Sequence, residues 1–391
     1  MNITLVHTWR VINAKGGTEK VFCDMANALS NRGHNVTAIF FDQQTGEPGF
    51  LFDKNVTLIN AAVTRTPFLL SSFFRKVRAF NFSQELRRNR RAQLESKIQL
   101  FKIHNALLSI SSDVIVSFQA ETTYKLKQIF KNKAPAPIVT MIHNDPIRYL
   151  PPTMSIEIKR SVESSAFVHV LRPEFKDSLL SILPHASVIV IPNAVPQTQD
   201  LSDCLGKTII NIGRLMPEKR QSLLVEAFAL IKDEFPKWKL ELWGETHLNP
   251  EYTQKIKAII EENKLKNQVN ICGTTENVLQ QLKRAGIFAF PSEFEGMPLA
   301  LTEGMTMGLP SIGWKECPAV NTLIRNGENG LLCDATPESL AHALTTLMKD
   351  TDLRIRLGKQ AKEDMKAYAP EKVWNQWESL LLSLVNSKNI E

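Results

Sequence analysis

The chain has 391 residues, of which 43% are apolar and 22% charged, with a formal net charge of +7. That length exceeds one ordinary hydrophobic core and suits two domains of about 150–200 residues, and the composition excludes a disordered polymer. No apolar run reaches the roughly 18 residues that span a membrane, the start MNITLVHTWR has no secretory pattern, and Cys23, Cys204, Cys272, Cys317 and Cys333 stand at no metal-ligand spacing, so a reducing cytosol is expected rather than a disulfide frame or zinc site.

In chain order, residues 3–6 read as a buried strand, followed by the loop Lys15-Gly16-Gly17-Thr18-Glu19. Val21, Phe22, Met25, Ala26 and Leu29 then recur at helical spacing and stop at Gly33. Residues 36–41 form the next strand, which completes a Rossmann-like βαβ unit. Further strands are expected at 56–59, 114–118, 138–143, 167–171 and 188–191, alternating with helices. Between Arg65 and Lys102 lie ten basic residues (Arg65, Arg75, Lys76, Arg78, Arg87, Arg88, Arg90, Arg91, Lys97, Lys102) against Glu85 and Glu95. This local excess outweighs the charge of the whole chain and points to a partner surface rather than to the fold.

The polar stretch at 193–205 is the best linker. A second α/β series follows, with strands at 208–212, 239–243, 269–272, 287–290, 311–313 and 330–333. The expected class is therefore α/β, with two Rossmann-like domains facing across a cleft: 1–195, 206–370, and a final helix at 371–391 crossing back to the first domain. Ligands bind at the carboxyl ends of strands in such sheets.

Three segments carry chemistry. The first is SEFEGMPLALTEGMTMGLP at 292–310. Glu295 lies in the loop before a helix and Glu303 within it. Gly296, Met297, Pro298 and Leu299 lead into that helix, where unpaired backbone N–H groups at 297–299 suit an anion or a sugar hydroxyl. The second is NIGRLMPEKR at 211–220. Arg214 and Lys219, beside Gly213, suit a diphosphate, the arginine as a fork and the lysine as a point charge. The third is the Gly16-Gly17 loop, whose glycines bring backbone donors close to phosphate. It is neither a dinucleotide fingerprint nor a P-loop. Solvated loops and a capped helix would account for each segment taken alone.

Together these segments resemble a retaining glycosyltransferase of family 4, with the two-domain GT-B fold. The resemblance also includes the turn at Gly308–Pro310 and NGENGLLCD at 326–334. It implies that Glu303 holds the ribose hydroxyls of a nucleotide sugar. Glu295 would contact the donor sugar, helped by backbone amides from Met297 to Leu299. Arg214 and Lys219 would hold the diphosphate, approached by Gly17, and Thr274 and Thr275 would lie beside the base. His143, in MIHND, matches the family's histidine near the donor sugar. Arg220 stands where glycine often follows the lysine, Met297-Pro298 replaces Phe-Gly, Gly304 replaces alanine, and the loop at Gly244 lacks a second glycine.

The implied reaction breaks the bond between the anomeric carbon and the diphosphate, and fixed cations stabilise the charge that builds on the leaving group. No DxD-like pair appears, and Arg214 with Lys219 can replace a metal, so no metal or cofactor is expected. A UDP-sugar is the favoured donor. The acceptor would be a glycan or lipid-linked molecule in bacterial surface polysaccharide or lipopolysaccharide synthesis. Phe68, Phe73, Phe74 and Phe80 interleave with cations in 65–102, a pattern suited to an anionic membrane surface at the inner face of the cell membrane. A solvated helical face is the other reading of that segment. No nucleic-acid recognition pattern accompanies the charge. A nucleotide-sugar epimerase and a non-catalytic sugar-nucleotide-binding subunit are the competing functions.

Overall fold

The computed structural model describes residues 1–63, 84–131 and 134–388. Contacts divide the chain into two compact units, Met1–Ile191 with Trp374–Glu391, and Pro192–Val373.

The first unit is built on β1 (Asn2–His7), β2 (Asn35–Phe40), β3 (Thr57–Asn60), β4 (Val114–Ser117), β5 (Ile138–Ile142), β6 (Phe167–Val170) and β7 (Val188–Val190). They form one parallel sheet in the order β3-β2-β1-β4-β5-β6-β7. The central strands β4 and β5 are buried at every position, as a parallel sheet covered on both faces requires. One face packs Val6, Ile39 and Ile115 against Ile103 and Leu126 of the flanking helices. The last helix, Pro370–Lys388, sets Trp377 against the His169 ring at 4.6 Å, and its Glu378 forms an ion pair with Arg32 and lies at hydrogen-bond distance, 2.8 Å, from the His34 ring.

The second unit repeats the plan with β8 (Thr208–Ile212), β9 (Lys239–Trp243), β10 (Val269–Gly273), β11 (Ile287–Phe290), β12 (Ser311–Trp314) and β13 (Gly330–Cys333). All are parallel, in the order β10-β9-β8-β11-β12-β13. Successive residues of a strand serve opposite faces. Ile209 enters the core with Phe228, Leu242 and Leu344, while Ile210 joins Phe288, Leu301 and Met305.

In both sheets the order reverses beside the first strand, between β1 and β4 and between β8 and β11. Loops leaving neighbouring strands turn to opposite faces there, which opens a crevice at the carboxyl ends. Each strand expected from the sequence is present. The basic window at 65–102 lies largely outside the described residues; its described part is the helix Gln84–Leu108. Within that helix Lys102 is half-buried and donates to the Ala62 carbonyl, so it serves the fold of the first unit rather than an outside surface.

Candidate active site

The β8/β11 crevice holds most of the charged residues singled out in the sequence. The two strands pair only at Ile209–Ile287 and Ile210–Phe288. Beyond that, the buried Asn211 amide spans the gap and donates to the Ala289 carbonyl at 2.8 Å. The loop after β8 carries Gly213, Arg214 and Lys219; the loop after β11 carries Glu295.

These loops are stitched together. Glu293 donates its backbone N–H to the Glu218 carbonyl at 2.8 Å, and its carboxylate lies 3.4 Å from the Arg220 guanidinium. Lys219 Nζ meets Glu295 Oε1 at 2.5 Å, with 17% and 12% of the two side chains exposed. The Lys219 ammonium also lies over the Phe290 ring. Lys219 and Glu295 are thus brought together as a pair, where the sequence reading gave them separate ligands. Arg214 is exposed at the loop's rim.

Arg220 explains its own departure from the family pattern. It follows the short turn Pro217–Lys219 with φ +53°, a left-handed conformation that glycine adopts at least cost. Its guanidinium sits 4.1 Å above the Trp314 ring as well as beside Glu293, which offsets the strain. Next to it, the buried Gln221 side chain donates to the Arg214 carbonyl at 3.0 Å and holds the loop from beneath.

The helix behind Glu295 runs Leu299–Thr306, so it starts later than the sequence suggested. Pro298 is the flanking residue and its carbonyl accepts from Thr302 N–H. The first-turn amides without an intrahelical partner are therefore those of 299–301. Met297 precedes the helix, and Pro298 has no N–H to offer, which corrects the expected donor set at 297–299. Met297 instead accepts from the Asn193 amide through its sulfur at 3.2 Å. Gly296 is buried in the loop, and Glu303 is the half-buried fifth residue of the helix. Gly304 is glycine because a Cβ would stand 2.9 Å from the Phe288 ring.

The neighbouring loops close the rim. Gly244 has φ +153°, and a Cβ there would lie 2.0 Å from the Gly213 carbonyl oxygen. Its N–H donates to Gly273 at 2.7 Å, while Gly213 N–H donates to Trp243 at 2.8 Å. The chain segments after β8, β9 and β10 thus lie edge to edge. Thr274 is exposed on this rim, and the Thr275 hydroxyl accepts from Asn277 N–H.

In the first unit, Gly16 flanks the helix Gly17–Asn31 and Gly17 opens it. The Glu19 carboxylate folds back to within 2.2 Å of where a Gly16 Cβ would stand, so this glycine also makes room for a side chain of its own helix. Glu19 lies 3.7 Å from His7, which is fully buried. His143 follows β5 and stacks on Phe118 at 5.4 Å. Its Nε2 is buried with no hydrogen-bond partner among the described residues. Burial, with His169 and His7 nearby, pushes its pKa down to about 3. His143 is therefore neutral near pH 7 and can exchange a hydrogen bond but supplies no positive charge.

Asn211, Gln221, Glu293 and Gly244 were not assigned roles by sequence reasoning. Each acts through a contact with a loop from another strand, and such partners leave no periodic signal. NGENGLLCD proves architectural: Asn329 is buried and donates to Leu323 and Asp364, which sets the turn into β13. Among the described residues no cluster of three His, Cys, Asp or Glu could hold a metal, and no helix is long and apolar enough to cross a membrane.

Comparison with known proteins bears on the fold and on the second unit. Residues 203–364, within the second unit, match the family model for glycosyl transferases group 1. An exopolysaccharide phosphotransferase of Streptomyces coelicolor is 28% identical over all of this chain, which spans 41% of that protein's length. An uncharacterised glycosyltransferase of Haemophilus influenzae is 24% identical, with 95% of this chain and 97% of that protein covered. The solved structure of Anabaena HepE in complex with UDP and glucose superposes with a TM-score of 0.73 at 18% identity, covering 98% of this chain and 99% of the other. At that identity the likeness establishes the fold.

Proposed function

We propose that this chain, whose residues 203–364 match the group 1 glycosyltransferase family model and which has the GT-B fold, transfers a sugar, with retention at the anomeric carbon, from a UDP-sugar to a glycan or lipid-linked acceptor. The proposed pathway is synthesis of a bacterial surface polysaccharide or lipopolysaccharide. The observation that carries this reading is the stitched pair of loops at the β8/β11 crevice. It pairs Lys219 with Glu295 across the loops that leave β8 and β11, with Arg214 exposed on the first of these loops and Glu303 on the helix that follows the second. A neutral crevice lined by apolar side chains would not suit a nucleotide diphosphate.

In the proposed reaction the bond from the anomeric carbon to the diphosphate oxygen breaks, its electron pair stays on that oxygen, and the acceptor hydroxyl oxygen bonds to the anomeric carbon while its proton passes to the departing diphosphate. Lys219 and Arg214 face the growing negative charge from a loop whose backbone is held by Gln221 and Arg220. Glu295 takes hydroxyls of the sugar and Glu303 those of the ribose. Two cations so placed can carry the charge without a metal, and we propose metal-independent transfer. HepE, whose structure contains UDP and glucose, supports UDP as the nucleotide.

The test is to incubate the protein with UDP-, GDP- and ADP-sugars, with and without membrane extract. Acceptor-dependent release of UDP is expected; interconversion of sugars without acceptor would replace transfer by epimerisation. Lys219→Ala should lower kcat about 10²–10³-fold, as loss of a transition-state donor does, measured at a temperature where the variant is still folded. A rate loss that disappears once only folded protein is counted would void the assignment.

We also propose that the basic segment 65–102 holds the protein at the cytoplasmic face of an anionic membrane. Replacing Arg87, Arg88, Arg90 and Arg91 by glutamine should release it from phosphatidylglycerol vesicles while donor hydrolysis persists. Retained vesicle binding would remove this part of the reading.

A further inference from the structure

The contact between Lys219 and Glu295 calls for a physical reason. If the lysine serves the diphosphate and the glutamate serves the sugar, each ligand competes with the contact that the two side chains make with each other. Both side chains are largely removed from water. Leaving either unpaired there would be costly, so the pair neutralises two charges that the site needs.

The surroundings confine any change to the side chains. The backbone at 218–221 is clamped by Glu293 N–H on the Glu218 carbonyl, by Arg220 between Glu293 and the Trp314 ring, and by Gln221 beneath Arg214. The lysine ammonium can leave Glu295 by rotating its own flexible stem, without moving either loop.

We propose that Lys219 and Glu295 form a donor-gated pair, in which an arriving diphosphate takes the lysine ammonium and releases the glutamate carboxylate to bind the hydroxyls of the attached sugar. This rests on the function proposed above and adds an order of events to it. Phosphate contact comes first and prepares the sugar contact. A free sugar meets a glutamate that is already occupied. A sugar joined to a diphosphate brings the group that frees it. The pair therefore selects a diphosphate sugar as a unit rather than recognising its two halves independently.

The consequence has a definite sign. In Glu295→Gln the lysine is no longer engaged by a carboxylate, so a bare nucleoside diphosphate should bind tighter than to the wild type. A gain of about fivefold in affinity is expected, which corresponds to about 1 kcal/mol. The nucleotide sugar should gain less or lose affinity, because the same substitution removes its hydroxyl acceptor.

The experiment is a calorimetric cycle over wild type, Glu295→Gln, Lys219→Met and the double variant. The ligands are whichever of UDP, GDP and ADP the wild type binds, and the corresponding glucose conjugate. The gain for the diphosphate should appear in Glu295→Gln and vanish when Lys219 is already methionine. A gain that persists in the Lys219→Met background would reduce the effect to simple charge repulsion and overturn the gate. So would unchanged or weaker diphosphate binding by Glu295→Gln. If the wild type binds none of the three nucleotides, the function reading fails and the gate falls with it. Retained thermal unfolding in each variant shows that the comparison is between folded proteins.

Discussion

Gly244→Ala tests whether the rim of the second unit is as tightly built as its contacts indicate. A Cβ at 244 would stand 2.0 Å from the Gly213 carbonyl oxygen, whereas ordinary contact begins at 3.4 Å. The loop at 213 or the strand end at 243 must therefore yield by about 1.4 Å, beyond the few tenths of an ångström that packing absorbs easily. Either movement breaks a bond: Gly244 N–H to Gly273, or Gly213 N–H to Trp243. The φ of +153° adds backbone strain for any L side chain. Overpacking of this kind costs about 1–3 kcal/mol of stability. Arg214 follows Gly213 directly, so its guanidinium shifts with the loop, and a misplacement of about 1 Å at a reacting centre can cost 10²-fold in rate. The assay pairs urea unfolding with donor hydrolysis measured below the unfolding transition. Gly327→Ala is the control: it also carries positive φ, at +78°, but a Cβ there meets nothing within 4 Å. It should lose stability and keep turnover. Equal turnover in Gly244→Ala and wild type would refute the claim that this glycine positions the Gly213–Arg214 loop.

Gly304→Ala places a methyl 2.9 Å from the Phe288 ring and should destabilise by about 1–2 kcal/mol in urea unfolding, with Phe288→Leu in the same chain restoring part of the loss. Acid should unfold the first unit through its buried histidines: His143 and His169 have pKa values lowered by burial to about 3 and about 4. The unfolded chain takes up those protons near pH 6.5, so their contribution is intact above that pH and declines as pH falls, down to about 4 for His169 and about 3 for His143, at up to about 1.4 kcal/mol per pH unit for each. His143→Phe should flatten the stability–pH curve by one proton over that window; an unchanged slope in urea titrations at pH 6, 5 and 4.5 would show that His143 is not buried neutral.

Much of the architecture was legible in the sequence. Ile287–Phe290 is a continuous apolar run and Ile138–Ile142 is apolar apart from the buried Thr140, and burial on both faces of a parallel sheet favours that composition. The charged positions were also visible, because Arg214, Lys219 and Glu295 lie in loops that follow strands and Glu303 lies in the helix after the second of these loops. Helix starts were less so. Pro298 reads as a first-turn residue by propensity, yet it precedes the helix, because local preference fixes the neighbourhood of a boundary and packing fixes its position.

What the amino-acid order determined alone was which segments alternate, where their carboxyl ends lie along the chain, and which charges sit there. Those properties are set within a few residues by periodicity and turn chemistry. The strand order that opens a crevice beside β8, the ion pair between residues 76 positions apart, the tolerance of Arg220 for a left-handed backbone over Trp314, and the need for glycine at 244 and 304 were decided only by folding. Each depends on the distance between groups far apart in sequence, and that distance does not exist until the sheet has assembled.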